Sequence, residues 1–96
     1  MFAEPLNILT RTGIIKLGYF FYILKSKKTS KYYIGQTTNI RRRLLQNNNG
    51  KSKSTKSGIP WELVYSEDYA TRSESMQRER YIKSQKSRIF IEELIS

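Results

Sequence analysis

The chain has no cysteine and no histidine. Without thiols there can be no disulfide and no thiolate zinc site. Serine–histidine and cysteine–histidine catalysis are excluded too. Any catalysis must therefore use tyrosine, lysine, arginine, carboxylates or a bound metal ion. Long apolar runs are also missing, so no segment reads as a membrane span. The N-terminus has no uninterrupted apolar run after a basic start. No secretory signal is expected on that ground, and the cytoplasm is the expected compartment. Acidic residues are scarce. Aspartate and glutamate total 8 against 18 lysines and arginines, a net charge of +10. Residues 1–18 hold Arg11, Lys16 and Glu4, a net of +1, so +9 falls on the rest. Such a surplus attracts polyanions. Charge alone does not separate nucleic acid from an anionic membrane, but no long basic amphipathic helix is present, which disfavours the membrane.

What is present falls into short, regular clusters that a disordered chain would lack, among them seven tyrosines. Residues 1–18 show no clear period and read as an N-terminal extension, expected to be flexible; residues 13–17 could add a short strand. Residues 19–96 read as one domain. Tyr19–Leu24 is a strand pattern apolar on both faces, which implies cover on each side. A polar turn over Lys25–Lys31 leads to a second strand at Tyr32–Gln36, giving a β-hairpin. Alternation puts Phe20, Tyr22 and Leu24 on one face of the first strand, and Tyr33 and Gly35 on one face of the second. If the register puts Tyr22 and Tyr33 on a common face, two phenols stand side by side.

Asn39 can cap a helix whose expected buried stripe is Ile40 and Leu44, with Leu45 as a further candidate, ending at Asn47–Gly50. Residues 50–60 form a polar, irregular loop bearing Lys51, Lys53 and Lys56, of a length that is often functional or mobile. Trp61–Ser66 predicts a third strand, with Trp61, Leu63 and Tyr65 on one buried face. Thr71–Glu74 matches a capping box and opens a helix to about Ser84, along which Met76, Glu79 and Ile82 form one row. Ser87 can cap a last helix carrying Phe90, Ile91, Leu94 and Ile95 on its stripe. The order is strand, strand, helix, strand, helix, helix.

Three features invite a chemical reading, each beside a plainer one. A helical glutamate is ordinarily solvated, but Glu79 has apolar neighbours in its row, and an unpaired buried carboxylate is costly unless a cation meets it. Strand tyrosines are most often core residues, yet Gly35, two residues after Tyr33, marks a close approach by a ligand or another backbone. Arg41, Arg42 and Arg43 fan out at about 100° intervals around their helix. At most one or two can address a given site, and one can clamp a phosphate in fork geometry.

Taken in order, Phe20-Phe21-Tyr22, Tyr33-Ile34-Gly35, Asn39-Ile40-Arg41-Arg42-Arg43-Leu44 and Glu74-Ser75-Met76-Gln77-Arg78-Glu79-Arg80 resemble the four motifs of the GIY-YIG nuclease family. The match spans roughly residues 19–95. Each motif is short, but four in the right order and spacing are hard to obtain by chance. The chain is similar to small stand-alone members and to the nuclease domain of the bacterial excision-repair incision subunit; a place in DNA repair is one expectation, and an enzyme borne by a mobile element is the other. The resemblance implies an α+β fold, a three-stranded antiparallel sheet flanked by helices. It implies a metal-dependent endonuclease hydrolysing phosphodiester bonds in DNA. Tyr22 and Tyr33 would position and help deprotonate the attacking water, Arg43 would bind the scissile phosphate, and Glu79 would hold one divalent ion, magnesium or another such as manganese. Arg43 and the metal would lower a phenol's pKa by favouring phenolate.

The sequence departs from the family pattern in three places. Phe20-Phe21 replaces glycine and isoleucine, and Gln36 stands where some relatives place lysine. Asn47 stands where the family commonly has histidine or tyrosine, and asparagine cannot act as a base. If that position supplied the base, the chain would be slow or inactive. If a tyrosine does that work, Asn47 orients water or phosphate, and the second case is the expected one. Arg41, Arg42, Asn47, Lys51, Lys53 and Lys56 are the expected DNA contacts. Branched, flapped or nicked DNA is the expected substrate, since no second domain is evident to read base edges. The competing functions are a catalytically inactive basic nucleic-acid-binding module and a small protein that docks an acidic partner. Oligomeric state is not legible in the sequence.

Overall fold

The computed structural model describes residues 18–96. The expected N-terminal extension and its short strand at 13–17 therefore lie outside the described residues. Three strands form one antiparallel sheet: β1 (Tyr19–Ser26), β2 (Tyr32–Thr37) and β3 (Trp61–Tyr69), in the order β2-β1-β3. Three helices flank it: α1 (Ile40–Asn48), α2 (Arg72–Ser84) and α3 (Arg88–Ile95). The fold is thus the expected α+β arrangement. Among the described residues no helix is long and apolar enough to cross a membrane.

The central position of β1 explains why its run is apolar on both faces. Phe21 and Ile23 pack with Ile82 of α2 and with Phe90, Ile91, Leu94 and Ile95 of α3. Tyr22 and Leu24 pack on the other face with Trp61, Leu63, and Ile40 and Leu44 of α1. Phe21, Ile23 and Leu24 are wholly buried. At about 25 cal/mol per Å2 of apolar surface removed from water, such residues dominate the stability of so small a domain.

The helix starts follow local chemistry. Asn39 Oδ1 accepts from the Arg42 amide at 3.0 Å. Thr71 and Glu74 form a reciprocal capping box. Ser87 Oγ accepts from the Phe90 amide at 3.1 Å. Each such cap stabilises its helix by about 1 kcal/mol.

Three expectations are corrected. The buried face expected for Trp61, Leu63 and Tyr65 is divided, because the β1–β3 register shifts between Ile23, opposite Tyr65, and Leu24, opposite Leu63. Val64 is the extra residue of a β-bulge, and such a bulge re-aims the side chains beyond it. Trp61 and Leu63 thus join the α1 face while Tyr65 joins the α2–α3 face. On α2 the inward stripe is Ser75, Glu79 and Ile82, with Ser75 and Ile82 buried and Met76 exposed. A small serine lets the helix lie close to the sheet where methionine would hold it off. On α1, Leu45 is exposed and Asn47 completes the stripe begun by Ile40 and Leu44.

The loop over residues 50–60 is tied down. It contains a 3-10 turn at Lys56–Gly58. Asn48 clamps the start of β3, its Oδ1 accepting from the Trp61 amide at 2.6 Å and its Nδ2 donating to the Trp61 carbonyl at 3.0 Å. Ser26 Oγ donates to the Gly58 carbonyl at 2.6 Å. Thr55, also fully buried, accepts from the Trp61 indole at 2.7 Å through its carbonyl.

On the α2–α3 face, Glu67 is an electrostatic hub. Its carboxylate accepts from Tyr65 Oη at 2.5 Å, Tyr69 Oη at 2.6 Å, and Arg78 Nε and Nη2 at 2.9 and 3.0 Å. Burial opposes its charge most, but the hydrogen bonds from Arg78, Tyr65 and Tyr69 together outweigh it and hold the carboxyl below its usual range. Burial and the bond to Glu67 push Tyr69 up to about 12. A depressed carboxyl stabilises the fold above its unfolded pKa, near 4.5, and that contribution is lost as pH falls through the lower folded value. Replacing Glu67 with glutamine is expected to lower stability by about 2 kcal/mol at neutral pH. The difference from the native chain should shrink on acidification, as urea melts at pH 7 and pH 3 would show.

Candidate active site

The β1–β2 register places Tyr22 opposite Gly35 and Leu24 opposite Tyr33, so both phenols project from the same face of the sheet. Their ring centroids are 6.4 Å apart. Gly35 leaves room for the first ring: a Cβ there would sit 2.6 Å from Tyr22 Oη. The Tyr33 ring meets the Trp61 indole edge-on, with centroids 6.1 Å apart.

A hollow of about 300 Å3 opens between this face and α1, lined by Tyr33, Arg43, Gln46, Asn47, Lys51 and Ser52. Arg43 and Asn47 are four residues apart on α1 and so share one face of it. Tyr22 lies deeper, only 1% exposed, and its hydroxyl has no hydrogen-bond partner among the described residues. Burial raises the Tyr22 pKa most and the neighbouring Tyr33 raises it further, while Arg43 lowers it and Glu79 adds a smaller upward push. The expected lowering by Arg43 does not prevail at Tyr22: desolvation wins and the phenol keeps its proton. Arg43 approaches closely enough to favour phenolate, yet no well-directed hydrogen bond joins the two.

The structure thus brings Tyr33, Arg43, Asn47 and Lys51 onto one hollow, with Tyr22 beside it. Glu79 does not line that hollow. Its charge reaches Tyr22, and its carboxylate accepts from Lys83 Nζ at 2.7 Å. Arg41, Arg42, Lys53 and Lys56 are exposed and do not line the hollow. Gln36 pairs with Phe21 and faces away from the phenols. Among the described residues no group of three acidic side chains clusters to hold a metal. Sequence reasoning missed Thr55, whose hydroxyl donates to Asn47 Oδ1 at 3.0 Å. Within a serine- and lysine-rich loop it carries no local signal, because its partners lie on α1 and β3.

An antiparallel three-stranded sheet with two tyrosines, an arginine and a helical glutamate in this order defines a GIY-YIG-type domain. The GIY-YIG catalytic domain model matches residues 18–92, and the chain belongs to the GIY-YIG family, a nuclease family in general. It is 39% identical over 80 residues to the UPF0213 protein YazA of Bacillus subtilis, covering 79% of this chain and 80% of that one. It is 40% identical over 68 residues to a UPF0213 protein of Streptococcus pneumoniae serotype 4, covering 70% and 68%. The solution NMR structure of a UPF0213 protein from Bacillus halodurans superposes with a TM-score of 0.52 at 32% identity, covering 80% of this chain and 81% of that one.

Proposed function

We propose that this chain is a divalent-metal-dependent endonuclease that hydrolyses phosphodiester bonds in DNA. The observation that carries the reading is the hollow where Tyr33, Arg43, Asn47 and Lys51 meet beside the unpartnered hydroxyl of Tyr22. Hydrolysis of a phosphodiester needs an in-line nucleophile and neutralised charge on the phosphoryl oxygens. Arg43 and Lys51 supply positive charge, Arg43 in a planar fork suited to a phosphate. Tyr22, kept protonated by burial, serves as a hydrogen-bond donor that orients the water or an oxygen of the phosphate. Tyr33 is the phenol that opens onto the hollow; as phenolate, its own proton first released to solvent, it is the group assigned to accept the water's proton.

The donor chemistry fits magnesium, which takes one or two carboxylates plus substrate phosphates and keeps several waters. Glu79 is the carboxylate whose charge reaches Tyr22, and it would hold the ion. When bound, magnesium or manganese would polarise the phosphoryl group and offset the charge that develops on it. Arg41, Arg42, Lys53 and Lys56 are assigned to backbone contacts flanking the site. Branched, flapped or nicked DNA is the proposed substrate and the cytoplasm the proposed setting.

The second reading is an inactive nucleic-acid-binding module, favoured by one observation: Asn47 stands on the wall of the hollow and cannot take a proton. Labelled branched DNA incubated with magnesium, and in parallel with chelator, separates the two. Cuts that require the metal are expected. Binding without cuts on any duplex, branched or single-stranded DNA would select the module. For either reading, log affinity should fall with log salt at roughly 0.9 per phosphate contacted.

A further inference from the structure

Asn47 does not look like a residue kept for packing. It is 2% exposed, yet its Nδ2 has no hydrogen-bond partner among the described residues. An unmet buried amide N–H weakens the folded state, so stability alone does not account for it. The other end of the amide is taken, because Oδ1 accepts from Thr55 Oγ1 at 3.0 Å. Thr55 is itself fixed. It is fully buried, its carbonyl accepts from the Trp61 indole at 2.7 Å, and its amide donates to the Ser52 carbonyl at 3.2 Å. Oδ1 is thus engaged, and the end of the amide left wholly unmet is the Nδ2 donor. Asn47 lines the same hollow as Arg43 and Lys51. An unmet amide donor beside two cations, with no carboxylate in the lining, complements an anion whose oxygens only accept, and a phosphoryl group is such an anion.

We infer that Asn47 is a phosphate-reading residue whose Nδ2–H donates to a non-bridging phosphoryl oxygen of a nucleic-acid backbone, with Thr55 as the positioning residue that locks its amide. This rests on the proposal that the hollow receives phosphate, but not on its catalysing hydrolysis. It also changes the meaning of the basic loop. The segment that carries Lys51, Lys53 and Lys56 to the backbone is the one that sets the Asn47 amide, so grip and alignment are built from one piece of chain.

The test reads binding rather than turnover. In 15N-labelled protein with chelator present, the side-chain amide signals of Asn47 and the Nε–H of Arg43 are followed as a short DNA duplex is added. Asn47→Asp assigns the amide. Both signals are expected to move together, and at duplex concentrations where inorganic phosphate moves neither. Asn47→Asp, which puts a charged acceptor in place of the donor, should weaken duplex affinity by about tenfold to a hundredfold. Thr55→Val should broaden or reduce the Asn47 response, and Thr55→Ser should restore it because the hydroxyl is kept. Movement of Arg43 without Asn47 would overturn the inference, since the amide would then be meeting water. Equal response to inorganic phosphate would overturn the assignment to nucleic acid. No movement of either signal would overturn the inference together with the phosphate hollow. Joint movement in a protein that never cuts DNA would uphold the inference while the hydrolytic reading fell.

Discussion

A Glu79→Gln variant is expected to cut DNA about a thousandfold more slowly in magnesium while binding it about as well. The plainer account of Glu79 is an i,i+4 ion pair with Lys83, and magnitudes decide between them. The Lys83 side chain is 55% exposed and that of Glu79 22% exposed. Helix-surface pairs of this kind stabilise by about 0.3–0.5 kcal/mol, too little to matter for activity. Metal-assisted charge stabilisation is worth several kcal/mol, and about 4 kcal/mol corresponds to a thousandfold in rate. The glutamine is isosteric, so Ser75 and Ile82, which seat α2 on the sheet, are undisturbed. Lys83→Met is the control. If Glu79 only anchors Lys83, the two variants should behave alike; if it holds the cation, Lys83→Met should remain close to native. Single-turnover rates across a magnesium titration would tell them apart, and equal rates in both variants would end the metal role assigned to Glu79.

How much of this was legible in the sequence depends on how local the governing physics is. Asn39, Thr71 and Ser87 each act within three residues, and all three caps form as their residue types imply. The two-sided apolar run at Tyr19–Leu24 announces a central strand, because only a strand covered on both faces can bury both. The bulge at Val64 is different in kind. It arises from how β3 meets β1, and the alternation of Trp61, Leu63 and Tyr65 reads smoothly across it. Asn47 shows a second limit. A stripe is sought among apolar residues, so Asn47, seven positions after Ile40, is read as the helix's end and a DNA contact, although its spacing also puts it on the inward face. Ser75 is the same case on α2, where a small residue is buried by close approach and Met76 beside it is left outside. The motif tyrosines could be placed on their faces from alternation. That Tyr22 would be sealed off and Tyr33 left open to the hollow could not, since α1 and Gly35 together decide it.

The three consecutive arginines provide the second large expected effect, and an internal comparison. Arg43 lines the hollow while Arg41 and Arg42 are exposed on α1. Arg43→Ala should therefore lower the cleavage rate by about 10^2 to 10^3, the loss that follows removal of one preorganised donor to developing charge. The loss arises at the phosphoryl oxygens, which lose a charged partner; Tyr22, already held protonated by burial, stays a donor when the cation that opposes its upward shift is removed. Arg43→Lys should recover only part of the rate, because a point charge cannot engage two oxygens in one plane. Arg41→Ala and Arg42→Ala should act on affinity, each lowering the salt slope by roughly 0.9 and leaving the rate at saturating DNA unchanged. Measuring kcat and KM for all four variants across a salt series checks this. Should Arg43→Ala prove indistinguishable from its two neighbours, the run is a diffuse electrostatic surface, and the hollow has lost the cation around which its chemistry was argued.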